Sequence, residues 1–121
     1  MNAAIHLTRS FPVPPEVLFA ALVERASEWL GGAGALEAGA PFEAAGPDGV
    51  ERGMVRKLEA PAKLTLLFEG PPETRAMLVL SGGPAGSELQ LIHSGFEDGD
   101  ARDAHVPRWD ERLDRLGAVV A

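Results

Sequence analysis

The sequence predicts an α+β fold: a six-stranded antiparallel sheet wrapped around a long C-terminal helix, with a short helical segment after the first strand. Three observations carry this expectation. The stretch Glu88–Phe96 alternates like a strand and hands over, through an acidic turn, to a helix with His105, Trp109, Leu113, Leu116 and Val120 on one side. Turn-forming clusters punctuate the middle of the chain about a dozen residues apart. No gap between them is long enough for a crossover helix, so consecutive strands should pair antiparallel as a meander.

The elements follow in order. Ile5, Leu7, Arg9 and Phe11 alternate with His6, Thr8 and Ser10, giving an opening strand with one apolar face. Pro12, Pro14 and Pro15 end it. Proline suits a first helical turn, where its missing N–H would be unpaired anyway, so a helix should start near Pro15. Leu18, Leu22, Ala26 and Trp29 then share a helical face until Gly31-Gly32-Ala33-Gly34 stops it. A strand around Ala40–Ala45 precedes four more, Val50–Leu58, Lys63–Glu69, Thr74–Leu80 and Ser87–Ser94. Between them lie the turn clusters Gly46-Pro47-Asp48-Gly49, Glu59-Ala60-Pro61-Ala62, Gly70-Pro71-Pro72-Glu73 and Gly82-Gly83-Pro84-Ala85-Gly86. The last helix is expected to begin after Asp103, which can cap it, so that Pro107 falls in or just past the first turn.

At 121 residues the chain fits one domain, residues 1–121, with room for a core that needs no covalent staples. The absence of cysteine excludes disulfides, thiolate zinc sites and thiol nucleophiles. Met1-Asn2-Ala3-Ala4 and the residues after it lack a basic region followed by an apolar run, so no signal peptide is expected. The longest apolar run, Val17–Val23, is far too short to span a bilayer. A cytoplasmic protein is the resulting expectation. A formal charge of −7 argues against nucleic acid and against an anionic membrane surface as partners.

The order and spacing of these pieces resemble the START-like (SRPBCC, helix-grip) superfamily, and within it the branch named after the activator of Hsp90 ATPase. The resemblance rests on Glu16-Val17-Leu18-Phe19-Ala20-Ala21-Leu22, Trp29, Gly39 with Phe42, Gly53-Met54-Val55 and Leu58-Glu59-Ala60-Pro61. Its most telling part is Leu89-Gln90-Leu91-Ile92-His93-Ser94-Gly95-Phe96 followed by His105, Trp109, Leu113 and Leu116. Phe68 stands where relatives carry tryptophan, and the link from Trp29 to Phe42 is short. The resemblance implies a hydrophobic cavity between sheet and C-terminal helix. It implies no shared catalytic set, because one fold hosts many chemistries.

Candidate lining residues follow from alternation within that frame. Leu89, Leu91 and His93 share a strand face, as do Leu64, Leu66 and Phe68, and likewise Met77 and Val79. With Trp29, Phe42, Met54, Trp109 and Leu113 these form the expected ligand pocket; a filled core accounts for each of them singly. His93 could orient a ligand group or act as a base, or simply hydrogen-bond and close one end of the core. Glu97, Asp98, Asp100 and Asp103 match no defined ligand spacing, so a solvated turn with helix capping is expected and no metal. Arg9 on an apolar face needs a partner, such as Glu43 or Glu51, or an escape to the strand edge. No serine stands in a nucleophile elbow and no glycine run in a phosphate loop.

The leading functional expectation is a small START-like protein that binds an apolar or amphipathic small molecule, without a cofactor. An enzyme of the same fold (cyclase, dehydratase or hydrolase) using His93 or a cavity carboxylate is the second; no catalytic residue is assigned. A protein-interaction or Hsp90 co-chaperone-like module is the third. An exposed meander edge also allows a homodimer.

Overall fold

In the computed structural model of the chain, residues 3–32, 34–46, 49–70 and 72–121 are described. The turn positions Pro47, Asp48 and Pro71, the helix-stop residue Ala33, and Met1 and Asn2 of the leader reading lie outside the described residues.

Strand β1 (Ala3–Phe11) leads into α1 (Pro15–Glu24), with Pro15 at the first helical position. The helical face expected to run on to Trp29 is split at Arg25, whose backbone leaves helical geometry (φ −114°, ψ 35°), and α2 (Ala26–Trp29) follows as a single turn. Strands β2 (Pro41–Gly46), β3 (Gly49–Glu59), β4 (Lys63–Phe68), β5 (Thr74–Gly83) and β6 (Gly86–Phe96) then form the meander. All five strand pairings are antiparallel, in the order β1-β6-β5-β4-β3-β2. The opening strand therefore pairs with the last, and α1 and α2 carry the chain from one sheet edge to the other.

The closing helix α3 (Gly99–Val120) starts earlier than the sequence predicts. Asp98, not Asp103, is its cap: the carboxylate accepts the Ala101 N–H at 2.9 Å. Pro107 consequently lies inside the helix, where it withdraws one N–H from the ladder, and the helix runs through it. The inner face of α3 carries Trp109, Arg112, Leu113 and Leu116, all buried. They meet Leu18, Leu22 and Trp29 from the two short helices and Leu64, Leu66, Leu78, Leu89 and Leu91 from the sheet, each at most 0% exposed. Trp29 donates its indole N–H to Leu22 O at 2.9 Å, which satisfies its one polar atom in this core.

Three expected lining residues face the other way. In β5 both phases of the alternation are apolar, so periodicity alone cannot choose. Cross-strand register chooses Leu78, which lies between Leu64 and Leu91, and puts Met77 and Val79 on the outer face opposite Thr65 and Lys63. Met54 sits across from Pro41 and Leu67 and is 47% exposed, while its neighbour Val55 points inward. A bulge between Val55 and Lys57 then rephases β3, so that Leu58 lies opposite Leu64.

A second bulge matters for the site. Ala3 pairs with Phe96 and Ala4 with Ser94, leaving Gly95 as the extra residue with φ +100°. Glycine is the residue suited to that backbone. Because one residue is inserted, His93 and Phe96 both turn inward although they are three apart, and their rings lie 4.5 Å centroid to centroid.

Candidate functional site

The inside of the grip is not uniformly apolar. Where the first half of α3 crosses the inner face of β3, β5 and β6, a layer of polar side chains is buried. His93 of β6 is fully buried. Trp109 of α3 donates its indole N–H to His93 Nδ1 at 2.8 Å. Indole nitrogen is only a donor, so Nδ1 must be the accepting nitrogen and Nε2 carries the proton. Nε2 in turn donates to Thr74 Oγ1 at 2.8 Å. Burial, then the charges of His105 and Arg112, push the His93 pKa down to about 3, with Glu51 opposing. The ring is neutral, stacked 5.1 Å from Phe68, and has no free lone pair. It cannot serve as a general base in this arrangement.

A second group adjoins it. His105 Nδ1 donates to Ala101 O at 2.9 Å, and Nε2 faces Glu51 Oε2 at 3.3 Å. With both ring nitrogens turned to acceptors, the protonated form is favoured. The Glu51 hydrogen bond raises the His105 pKa, against burial, with the Ala101 carbonyl adding to the rise. Burial pushes the Glu51 carboxyl up, but hydrogen bonds from His105 and Arg112 outweigh it and hold the group below the usual carboxylate range. Arg112 is 1% exposed and donates through Nη2 to Ala45 O at 2.7 Å and to Glu51 Oε1 at 3.0 Å. Its guanidinium lies 4.6 Å from the Trp109 ring and 5.8 Å from the Phe68 ring. Burial lowers the Arg112 pKa and the Glu51 contact raises it again.

A recess of about 360 Å³ opens onto this layer, lined by Glu51, Phe68, Glu69, Gly70, Pro72, Thr74, Phe96, Glu97, Ala101 and His105. Of the residues expected to line a pocket, Phe68 is on that wall. His93 and Trp109 lie in the layer behind it, and Trp29, Leu66, Leu89, Leu91 and Leu113 are packed in the core. Phe42 borders a separate outer recess with Pro41 and Arg52. Met54, Met77 and Val79 are on the opposite face of the sheet. A larger recess of about 510 Å³ lies outside the grip, between α1 and the β3–β4 turn, against Phe19, Val23, Leu58 and Pro61. It offers apolar surface with two flanking carboxylates, Glu16 and Glu24, and no convergent polar group. The smaller recess has both, and is the better candidate.

Arg9 pairs with Asp114 at 2.7 Å and Asp110 at 3.4 Å on α3, not with Glu43 or Glu51. The register that faces β1 toward the helix decides this. In the acidic turn, Asp98 caps the helix, Glu97 borders the recess and Asp103 pairs with Arg102 at 3.0 Å. Among the described residues, no group of three or more His, Asp or Glu side chains could hold a metal ion.

Sequence reasoning missed Glu51, Thr74, Phe96 and Arg112. A signal for two of them was present. His105, Trp109, Arg112 and Leu116 fall four, three and four apart, which places Arg112 on the inward stripe. Gly95 inside a strand pattern marks the bulge that turns Phe96 inward.

An antiparallel sheet gripping a long helix, with a polar layer and recess at one end, defines an α+β protein of the helix-grip class. The model for the Activator of Hsp90 ATPase homolog 1-like family matches residues 12–121, and the chain belongs to that family. Protein MLL2253 from Mesorhizobium loti superposes with TM-score 0.83 at 21% identity, covering 98% of this chain and 96% of that one. The Aha1 dimer from Colwellia psychrerythraea gives TM-score 0.82 at 18% identity, with 98% and 96% covered. CalU16 from Micromonospora echinospora gives 0.78 at 25% identity, with 98% and 76% covered. No curated protein matches the sequence. Among the described residues, no helix is long and apolar enough to cross a membrane.

Proposed function

We propose that this chain binds a small amphipathic molecule in the recess between α3 and the ends of β3, β4 and β5. The observation that carries the reading is the juxtaposition of aromatic faces, Phe68 and Phe96, with the charged pair Glu51 and His105 on one concave wall. An apolar body would lie against the rings and a polar group would turn toward the charged side. Pockets that combine apolar walls with a few convergent polar groups are the usual form of small-molecule sites. A catalytic reading is less well supported. His93 has both nitrogens committed, and Glu51 is held ionised by two cationic neighbours, which makes it a weak base.

The test is an NMR titration with ethylnaphthalene as a neutral apolar probe. Amide resonances of Phe68, Thr74, Phe96 and Ala101 should move saturably. Ala101→Trp, which fills the recess from the first turn of α3, should weaken binding at least about tenfold. Saturable shifts confined to Phe19, Val23 and Leu58, or no saturable shift at all, would overturn the proposal.

A further inference from the structure

Resting on that reading, we infer that Arg112 is the polar anchor of the site and that its ligand presents a neutral acceptor oxygen, such as a ketone, ester or amide carbonyl. Nη2 of Arg112 is spent on Ala45 O and Glu51 Oε1. Nε and Nη1 are buried and have no hydrogen-bond partner among the described residues. Buried donors are nearly always paired, and an unpaired guanidinium edge in a core is costly. The guanidinium is held in place from three sides: by the Glu51 carboxylate, by the Trp109 ring and by the Phe68 ring. Arg112 does not itself line the recess, but Glu51 and Phe68, which hold it, both form part of the recess wall. An acceptor that parts those two side chains would meet donors whose orientation is already fixed, which reduces the ordering cost of binding.

The charge around the site selects the kind of acceptor. Glu51, Glu69 and Glu97 line the recess together with His105, and Arg112 stands behind Glu51. Three carboxylates leave that wall net negative whether or not His105 carries a proton, even with Arg112 counted. Glu51 already faces Arg112, and a ligand carboxylate would add a fourth anion to that wall. A neutral carbonyl oxygen accepts the same hydrogen bonds without that repulsion.

A matched series tests this in the wild-type protein: acetonaphthone, ethylnaphthalene and naphthoate, which differ in one substituent. Acetonaphthone should bind on the order of tenfold more tightly than ethylnaphthalene, the usual weight of a hydrogen bond to a charged donor. Naphthoate should bind most weakly at neutral pH. The Arg112 Nε–H cross-peak should shift with acetonaphthone and stay in place with ethylnaphthalene. In Arg112→Met combined with Glu51→Gln, so that no carboxylate is stranded, the ketone-to-hydrocarbon ratio should fall to near unity. Equal binding of ketone and hydrocarbon in the recess, tightest binding of naphthoate, or an unmoved Arg112 cross-peak overturns the inference while the recess itself stands. Failure of ethylnaphthalene to bind there overturns the recess and the anchor together.

Discussion

Replacing His93 by glutamine should remove most of the mild-acid sensitivity of this fold. The imidazole pKa falls from 6.5 to about 3 in the folded state, chiefly because the ring is buried. Between those values the unfolded chain binds a proton that the folded chain refuses, so stability declines as pH falls. Each pH unit of that difference is worth about 1.36 kcal/mol. Integrated from pH 6.5 down to pH 4.5, with half the unfolded histidine already protonated at the start, the loss is about 2 kcal/mol. Other shifted groups leave that window clear. His105 has a raised pKa, so its contribution is fully present below 6.5 and is lost only as pH rises above it. Glu51 and Glu28 have lowered pKa values, so their contributions are present above 4.5 and are lost below it. In His93→Gln the amide oxygen can accept from Trp109 Nε1 and the amide nitrogen can donate to Thr74 Oγ1, with nothing to titrate. Urea denaturation followed by tryptophan fluorescence at the two pH values measures the change. The wild type should lose about 2 kcal/mol and the variant a small fraction of that. A wild type that is flat across the window, or a variant that falls as steeply, would refute the assignment of His93 as the buried neutral ring.

Two further outcomes follow from the same geometry. Arg112→Met should destabilise the protein by about 3–5 kcal/mol, because it strands the Glu51 carboxylate, and adding Glu51→Gln should recover much of the loss; additive losses in the urea midpoints of the two variants would count against the pairing. Gly32→Ala should cost about 1–3 kcal/mol, because a Cβ there would stand 1.6 Å from Glu43 O of β2, whereas Gly39→Ala meets no atom within 4 Å and carries only the strain of φ +80°. Thermal melts in which the Gly39 variant is the less stable of the two would contradict that close approach.

The sheet and the long helix were legible because their signals are periodic and repeated. Leu89, Leu91 and His93 alternate against Glu88, Gln90 and Ser94 but for Ile92, and His105, Trp109 and Leu116 follow the helical period. Faces went wrong where the pattern is degenerate. Ala76-Met77-Leu78-Val79-Leu80 is apolar at every position, so only the partners across the sheet decide that Leu78 is inside. Gly53-Met54-Val55 presents the same ambiguity, and the bulge after Val55 removes the period that would resolve it. A start after Asp103 makes Pro107 a first-turn residue, whereas the Asp98 cap fixes the start five residues earlier and leaves Pro107 inside the helix. The candidate site was the least legible part. Glu51, Thr74 and Arg112 come from three separate elements; Glu51 and Thr74 look like ordinary solvated residues, and the helical period that turns Arg112 inward does not say what it meets there.

The distribution of polarity inside the grip separates two tasks. Toward the C-terminal half of α3, Leu113 and Leu116 pack on Leu18, Leu22 and Trp29, and burial of each large apolar side chain there contributes roughly 1.5–3 kcal/mol. That half holds the fold together. Toward the first turns of α3 and the layer that ends at Arg112, the same inner surface carries Glu51, Thr74, His93 and His105 with that arginine. A buried ion pair adds little over apolar side chains of equal volume, and often less than they would. An arginine with two unmatched donor nitrogens is therefore a poor way to stabilise a core of this size. It stands behind two wall residues of the recess proposed as the binding site, with its plane fixed by Trp109 and its charge balanced by Glu51. Stability given up at that end is what the proposed binding site would require of a helix-grip interior.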